Sequence, residues 1–76
     1  MTGARPVKRS LTLQGHRTSV SLEDAFWTAF VAMARDTGVS VNALAARIDR
    51  ERGMSAGLAS AIRVAVLRHL RPPGAN

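Results

Sequence analysis

The chain has 76 residues, no cysteine, and a formal net charge of +6 from 11 Lys and Arg against 5 Asp and Glu. At that length it holds one domain with a core too small to be secure without a staple. The lack of cysteine removes disulfides and thiolate metal sites, and His16 and His69 have no further ligands spaced near them for zinc. Oligomerisation is then the expected source of added stability. No apolar run approaches the roughly 20 residues of a membrane span, and the basic N-terminus lacks the apolar segment of a secretory signal, so a cytoplasmic protein without metal or cofactor is expected.

The placement of charge says more than its sum. Arg5, Lys8, Arg9 and Arg17 precede the first acid, Glu23, while Arg63, Arg68 and Arg71 follow the last, Glu51, and acids slightly outnumber bases in between. Basic ends around a balanced middle point to a polyanionic partner, nucleic acid first and an anionic surface second.

Residues 1–7, with Gly3 and Pro6 and no periodicity, read as a flexible arm. Lys8 to Leu13 is a short alternating run. The stretch His16 to Leu22, HRTSVSL, is a strand: Thr18, Val20 and Leu22 fall on one face, Arg17, Ser19 and Ser21 on the other. The first face is apolar enough to bury, whereas the second carries a guanidinium and two hydroxyls that can bond base edges and phosphates. So short a strand needs a partner. A second copy paired across a two-fold axis answers both this need and the small core. The local alternative is a hairpin joining Leu11–Leu13 to Ser19–Leu22, with Gly15 supplying a positive φ.

Ser21 and Asp24 have the spacing of a capping box, and a first helix follows from about Glu23 to Thr37, with Phe26, Phe30 and Met33 facing the core and Gly38 as its left-handed cap. Trp27, beside them, reads as core or dimer packing. Ser40 caps a second helix carrying Val41, Leu44, Ala45 and Ile48 on one stripe and ending near Gly53. The free N–H groups at its start form a ready phosphate site. Ser55 is a candidate cap for a third helix over Leu58 to Leu70, with Leu58, Ile62, Ala65, Val66 and His69 or Leu70 on its apolar side. Pro72 and Pro73 end it, and residues 72–76 read as a frayed tail.

A strand, an amphipathic helix, a GVSVNAL turn and a second amphipathic helix together resemble the ribbon-helix-helix family of bacterial DNA-binding proteins. The segments KRSLTLQGHRTSVSLEDAFW, GVSVNALAARIDRERG and SAIRVAVLRHLR are similar to a small alpha-proteobacterial group of such domains, over residues 8–71. The resemblance implies a mainly α fold in which one short strand pairs between subunits in an antiparallel ribbon and two helices follow, with an extra C-terminal helix at about residues 55–70. It implies a homodimer that lays its ribbon in the major groove of double-stranded DNA. Arg17, Ser19 and Ser21 would then contact bases; Lys8, Arg9, Gly38, Val39, Ser40 and Asn42 would contact phosphate; and Val20, Leu22, Phe26, Trp27, Phe30, Leu44 and Ile48 would form the dimer core. The expected function is transcriptional regulation, as a repressor. The alternative is an oligomeric scaffold or antitoxin-like interaction protein with weak, non-specific DNA binding, its third helix joining dimers into a higher oligomer. No paired carboxylates, activated nucleophile or glycine-rich phosphate loop suggests catalysis.

Overall fold

A computed structural model of the protein describes residues 5–53 and 56–71. Two strands, β1 (Val7–Leu13) and β2 (His16–Leu22), lead into three helices, α1 (Asp24–Thr37), α2 (Val41–Glu51) and α3 (Leu58–Leu70). The expected cap at Ser55, the tail over residues 72–76 and the first four residues of the expected arm lie outside the described residues.

The partner of β2 is β1. The two strands form an antiparallel hairpin in register from Val7 opposite Leu22 to Leu13 opposite His16. Within the chain β2 thus takes the local alternative, a hairpin with β1, and Val7 belongs to the hairpin rather than to the arm. The turn explains the pairing. Gln14 and Gly15 both have positive φ, 52° and 84°, the conformation of a two-residue type I′ turn whose twist matches that of the flanking strands. β1 was hard to see because its alternation is interrupted: the inward position between Val7 and Leu11 is Arg9, which reads as a surface residue in sequence.

One face of the hairpin contributes Leu11, Leu13, Val20 and Leu22 to a core completed by Phe30 and Ala34 of α1, Leu44, Ala45 and Ile48 of α2, and Ile62 and Val66 of α3. Leu22, Phe30 and Ile62 are 0% exposed in the single chain. Val20, Leu22, Phe30, Leu44 and Ile48, expected to fill a dimer core, are thus buried by their own chain, with Phe26 and Trp27 packed partly buried against them. The hairpin's inner face and α3 supply apolar area that the expectation had assigned to a second copy. α2 lies beside β1, and α3 beside β2.

The helix ends follow local chemistry. Ser21 stays in β2, and the N-cap position of α1 is the extended residue Glu23, with no side-chain cap bond, so the Ser21–Asp24 capping box does not form. Gly38, at φ 75°, terminates α1; its N–H donates to Arg35 O and that of Val39 to Ala34 O, both at 3.1 Å. Ser40 does cap α2, its Oγ accepting the Ala43 N–H at 3.0 Å.

The turn makes a stability prediction. Gln14 is an L-residue held at positive φ, a conformation Asn tolerates better. Gln14→Asn should stabilise the protein by about 0.5 kcal/mol, and Gly15→Ala should destabilise it by about 1 kcal/mol; urea denaturation of the three proteins measures both.

Candidate nucleic-acid interface

Register and the two-residue period place Lys8, Ser10 and Thr12 of β1 on the same face as Ser21, Ser19 and Arg17 of β2, directly opposite one another in that order. All six are exposed. The face carries two cations and four hydroxyls, without a carboxylate. Lys8 and Arg17 make no ion pair among the described residues.

Backbone hydrogen bonding shows how these pairs sit. The Thr12 N–H donates to Asn42 Oδ1 at 3.0 Å, so it points away from β2. Residues two apart point the same way, so Lys8, Ser10 and Thr12 direct their backbone groups to the outer edge of β1, and their partners do so on β2. These are the non-hydrogen-bonded pairs, whose Cα atoms approach to about 4.5 Å. The outward side chains therefore stand in three close cross-strand pairs.

Each edge is tied to a helix. Asn42 joins the start of α2 to β1, while Arg63 of α3 reaches Ser21 O from Nη2 at 3.4 Å. Arg63 also clasps Glu23, with Nε to Oε1 at 3.0 Å and Nη2 to Oε2 at 3.1 Å, and its guanidinium lies 5.8 Å from the Phe26 ring centroid. The Glu23 carboxyl is held below its ordinary value chiefly by its backbone hydrogen bond, with desolvation opposing next and Arg63 adding to the lowering by hydrogen bond and charge.

The expected base-contacting residues Arg17, Ser19 and Ser21 share the outward face, and Lys8 stands with them on β1. The expected phosphate set is divided. Gly38, Val39 and Ser40 form the approach to α2, and Asn42 lies in its first turn, bonded to the hairpin edge through its oxygen; its amide nitrogen keeps its donors. Arg9 is elsewhere. It faces inward, ion-paired to Asp24 and stacked 5.3 Å from the Trp27 ring centroid, so its guanidinium is spent inside the fold. Ser10 and Thr12 were missed. The signal was the near repeat of RSLTL, residues 9–13, and TSVSL, residues 18–22, which marks two strands of the same patterning on either side of a turn.

Among the described residues no group of three or more His, Cys, Asp or Glu side chains is placed to hold a metal ion, and no helix is long and apolar enough to cross a membrane. Fold and surface together define a small ribbon-and-helix domain with a basic, hydroxyl-rich outer face. A family model described as the ribbon-helix-helix domain matches residues 6–70, and the chain belongs to that family. Neither the curated proteins nor the solved structures contain a significant match.

The lowered Glu23 carboxyl, held chiefly by its backbone hydrogen bond and further by Arg63, predicts a pH dependence. A carboxyl held low in the folded state contributes stability that is fully present above its ordinary value of 4.5 and is lost as pH falls through the lower folded value. Glu23→Gln should therefore be less stable than the wild type at neutral pH, with the gap closing below pH 4.5; denaturation midpoints across that range measure it.

Proposed function

We propose that this protein is a DNA-binding transcriptional regulator, acting as a repressor in the bacterial cytoplasm, that lays the outward face of its hairpin in the major groove. Ribbon-helix-helix domains commonly bind DNA in transcription regulation, and the observation that carries the reading is the acid-free outer face with Arg17 and Lys8 among four hydroxyls. The major groove admits a two-stranded ribbon, an arginine there can bond guanine O6 and N7 together, and serine can bond several base edges. Arg17, Ser19 and Ser21 are assigned to base contact. Lys8 is assigned to phosphate, as are Gly38, Val39, Ser40 and Asn42 at the start of α2, which Asn42 holds against the hairpin edge; the Gly38 and Val39 N–H groups are bonded to the end of α1, so the donors fall to Ser40, Asn42 and the first turn of α2. Arg9 is withdrawn from that set, because Asp24 and Trp27 occupy it.

The test is enrichment of sites from random duplex DNA at two salt concentrations. A defined sequence surviving at higher salt supports the reading, and binding erased by salt with no enriched sequence overturns it. Arg17→Ala should cost about 1–3 kcal/mol of discrimination at one base position, whereas Lys8→Ala should weaken binding to all sequences alike and lower the salt slope by about 1. Competition titrations against matched and mismatched duplexes separate the two effects.

A specific observation also favours contact with protein. α3 leaves Val64, Leu67 and Leu70 exposed at 46, 59 and 65%, and Val64 also lines a groove of about 310 Å³ between α2 and α3. The family typically binds DNA as dimers, and these side chains support homodimer or higher-oligomer assembly through α3. Ile62 and Val66 are core residues, so deleting the helix would unfold the chain. Leu67→Glu is the informative change: it should lower the mass seen by light scattering and leave the circular dichroism spectrum unchanged.

A further inference from the structure

We infer that the groove between α2 and α3 receives the exposed ridge of α3 from a second copy of this chain, in a two-fold contact that pairs Arg68 of each copy with Glu51 of the other. This deepens the reading of α3 as an assembly surface, on which it rests. No residue of β1 or β2 lines the groove. The contact is therefore separate from the outer face of the hairpin and leaves the strands free to pair between subunits; it joins whatever unit the ribbons form into a larger one.

The groove is an apolar trough with an unused charge of each sign on its walls. Ile48 on α2 and Ala61, Val64 and Ala65 on α3 line it, and the small side chains leave about 310 Å³ of space. Glu51 stands on the α2 wall and Arg68 on the α3 wall. Both are exposed, and among the described residues neither makes an ion pair, with the other or with any third group. Arg52, the remaining charged residue of the walls, is spent within its own chain on Asp49 and on the carbonyls of Gly53 and Ala56.

A fitting occupant lies on the same helix. Residues three and four apart share a helix face, which puts Val64, Leu67, Arg68 and Arg71 on one ridge, with Val64 and Leu67 46 and 59% exposed. Helices meet by setting such ridges into grooves. Charge then selects the partner surface. α3 carries no acid, LASAIRVAVLRHL, so two copies meeting through α3 alone would bring arginine against arginine, and like charges brought together oppose association. Setting the ridge into the groove removes the conflict, because the facing wall supplies Glu51. In a two-fold contact every residue pair occurs twice. Leu67 of each copy enters the apolar trough of the other, and Arg68, the next residue, reaches the other copy's Glu51. One symmetry operation thus gives two apolar insertions and two ion pairs, all from residues that a single chain leaves unused.

Light scattering of the full chain over a range of concentrations tests this with two charge reversals. Glu51→Arg and Arg68→Glu, each alone, should lower the mass at a given concentration and raise the dissociation constant of the larger species by at least about tenfold. Mixed in equal amounts, the two variants should recover the wild-type mass, because each supplies the charge that the other lacks. A pair closed within one chain is not restored by mixing, and neither is a fold lost by substitution, which circular dichroism of each variant reports. Single variants with the wild-type mass, or a mixture that stays at the lower mass, overturn the inference. Leu67→Glu separates this outcome from failure of the reading beneath it. If Leu67→Glu lowers the mass and the charge reversals do not, assembly through α3 stands and the pairing of Glu51 with Arg68 falls. If none of the three lowers it, both fall.

Discussion

A two-residue turn leaves a hairpin only one register. With Gln14 and Gly15 both in the left-handed region, Leu13 must face His16, and every pair back to Val7 and Leu22 follows. Side chains alternate with period two, so a slip of one residue would turn Leu11 and Leu13 to solvent and carry Ser10 and Thr12 inward. The register thus sets the core and the outer face in one step. Four apolar side chains go down onto the helices, and two cations and four hydroxyls are left facing out.

The same parity sorts chemically identical arginines. Arg9 is odd-numbered on β1 and falls inside, where Asp24 and the Trp27 ring receive it; Arg17, opposite Thr12, falls outside. The acids complete the separation. Asp24 and Glu23 at the start of α1 neutralise Arg9 and Arg63, and Asp49 neutralises Arg52 on α2. Among the described residues no carboxylate reaches the outer face of the hairpin, where it would repel a phosphate backbone. Ion pairs this exposed contribute little to stability. Their effect lies in orientation: Arg63 holds the end of β2 to α3, and Arg52 reaches Gly53 O at 3.3 Å and Ala56 O at 2.5 Å, closing the α2–α3 connection.

Much of this was legible in sequence because it depends on local chemistry. The strand His16–Leu22 with its two faces, the cap at Ser40, the left-handed Gly38 and the span of α3 all follow from patterns within a few residues of one another. What sequence hid was long-range compensation. Arg9 breaks the alternation of β1, and its inward position makes sense only once Asp24, 15 residues on, and Trp27 are beside it. Ser21 looked like a cap because Asp24 follows three residues on, yet strand pairing opposite Lys8 held it in the sheet. Arg63 lay off the apolar stripe of its helix, and only the fold brings it to Glu23, 40 residues earlier.

The small size of the chain posed a problem that sequence reasoning answered with a second copy, and the fold already meets part of it within one chain. β1 doubles the sheet and adds Leu11 and Leu13 to the core, while α3 adds Ile62 and Val66. Leu22, Phe30 and Leu44 are then at most 1% exposed inside one chain. In an intertwined dimer, folding, assembly and the ribbon itself all depend on chain concentration through the same equilibrium. Here the core of one chain is closed and β1 and β2 are paired within it. The ordering cost of the hairpin's outer face is then met during folding, which favours a preorganised surface. What that core leaves exposed on α3 is Val64, Leu67 and Leu70, apolar area that burial within one chain does not reach.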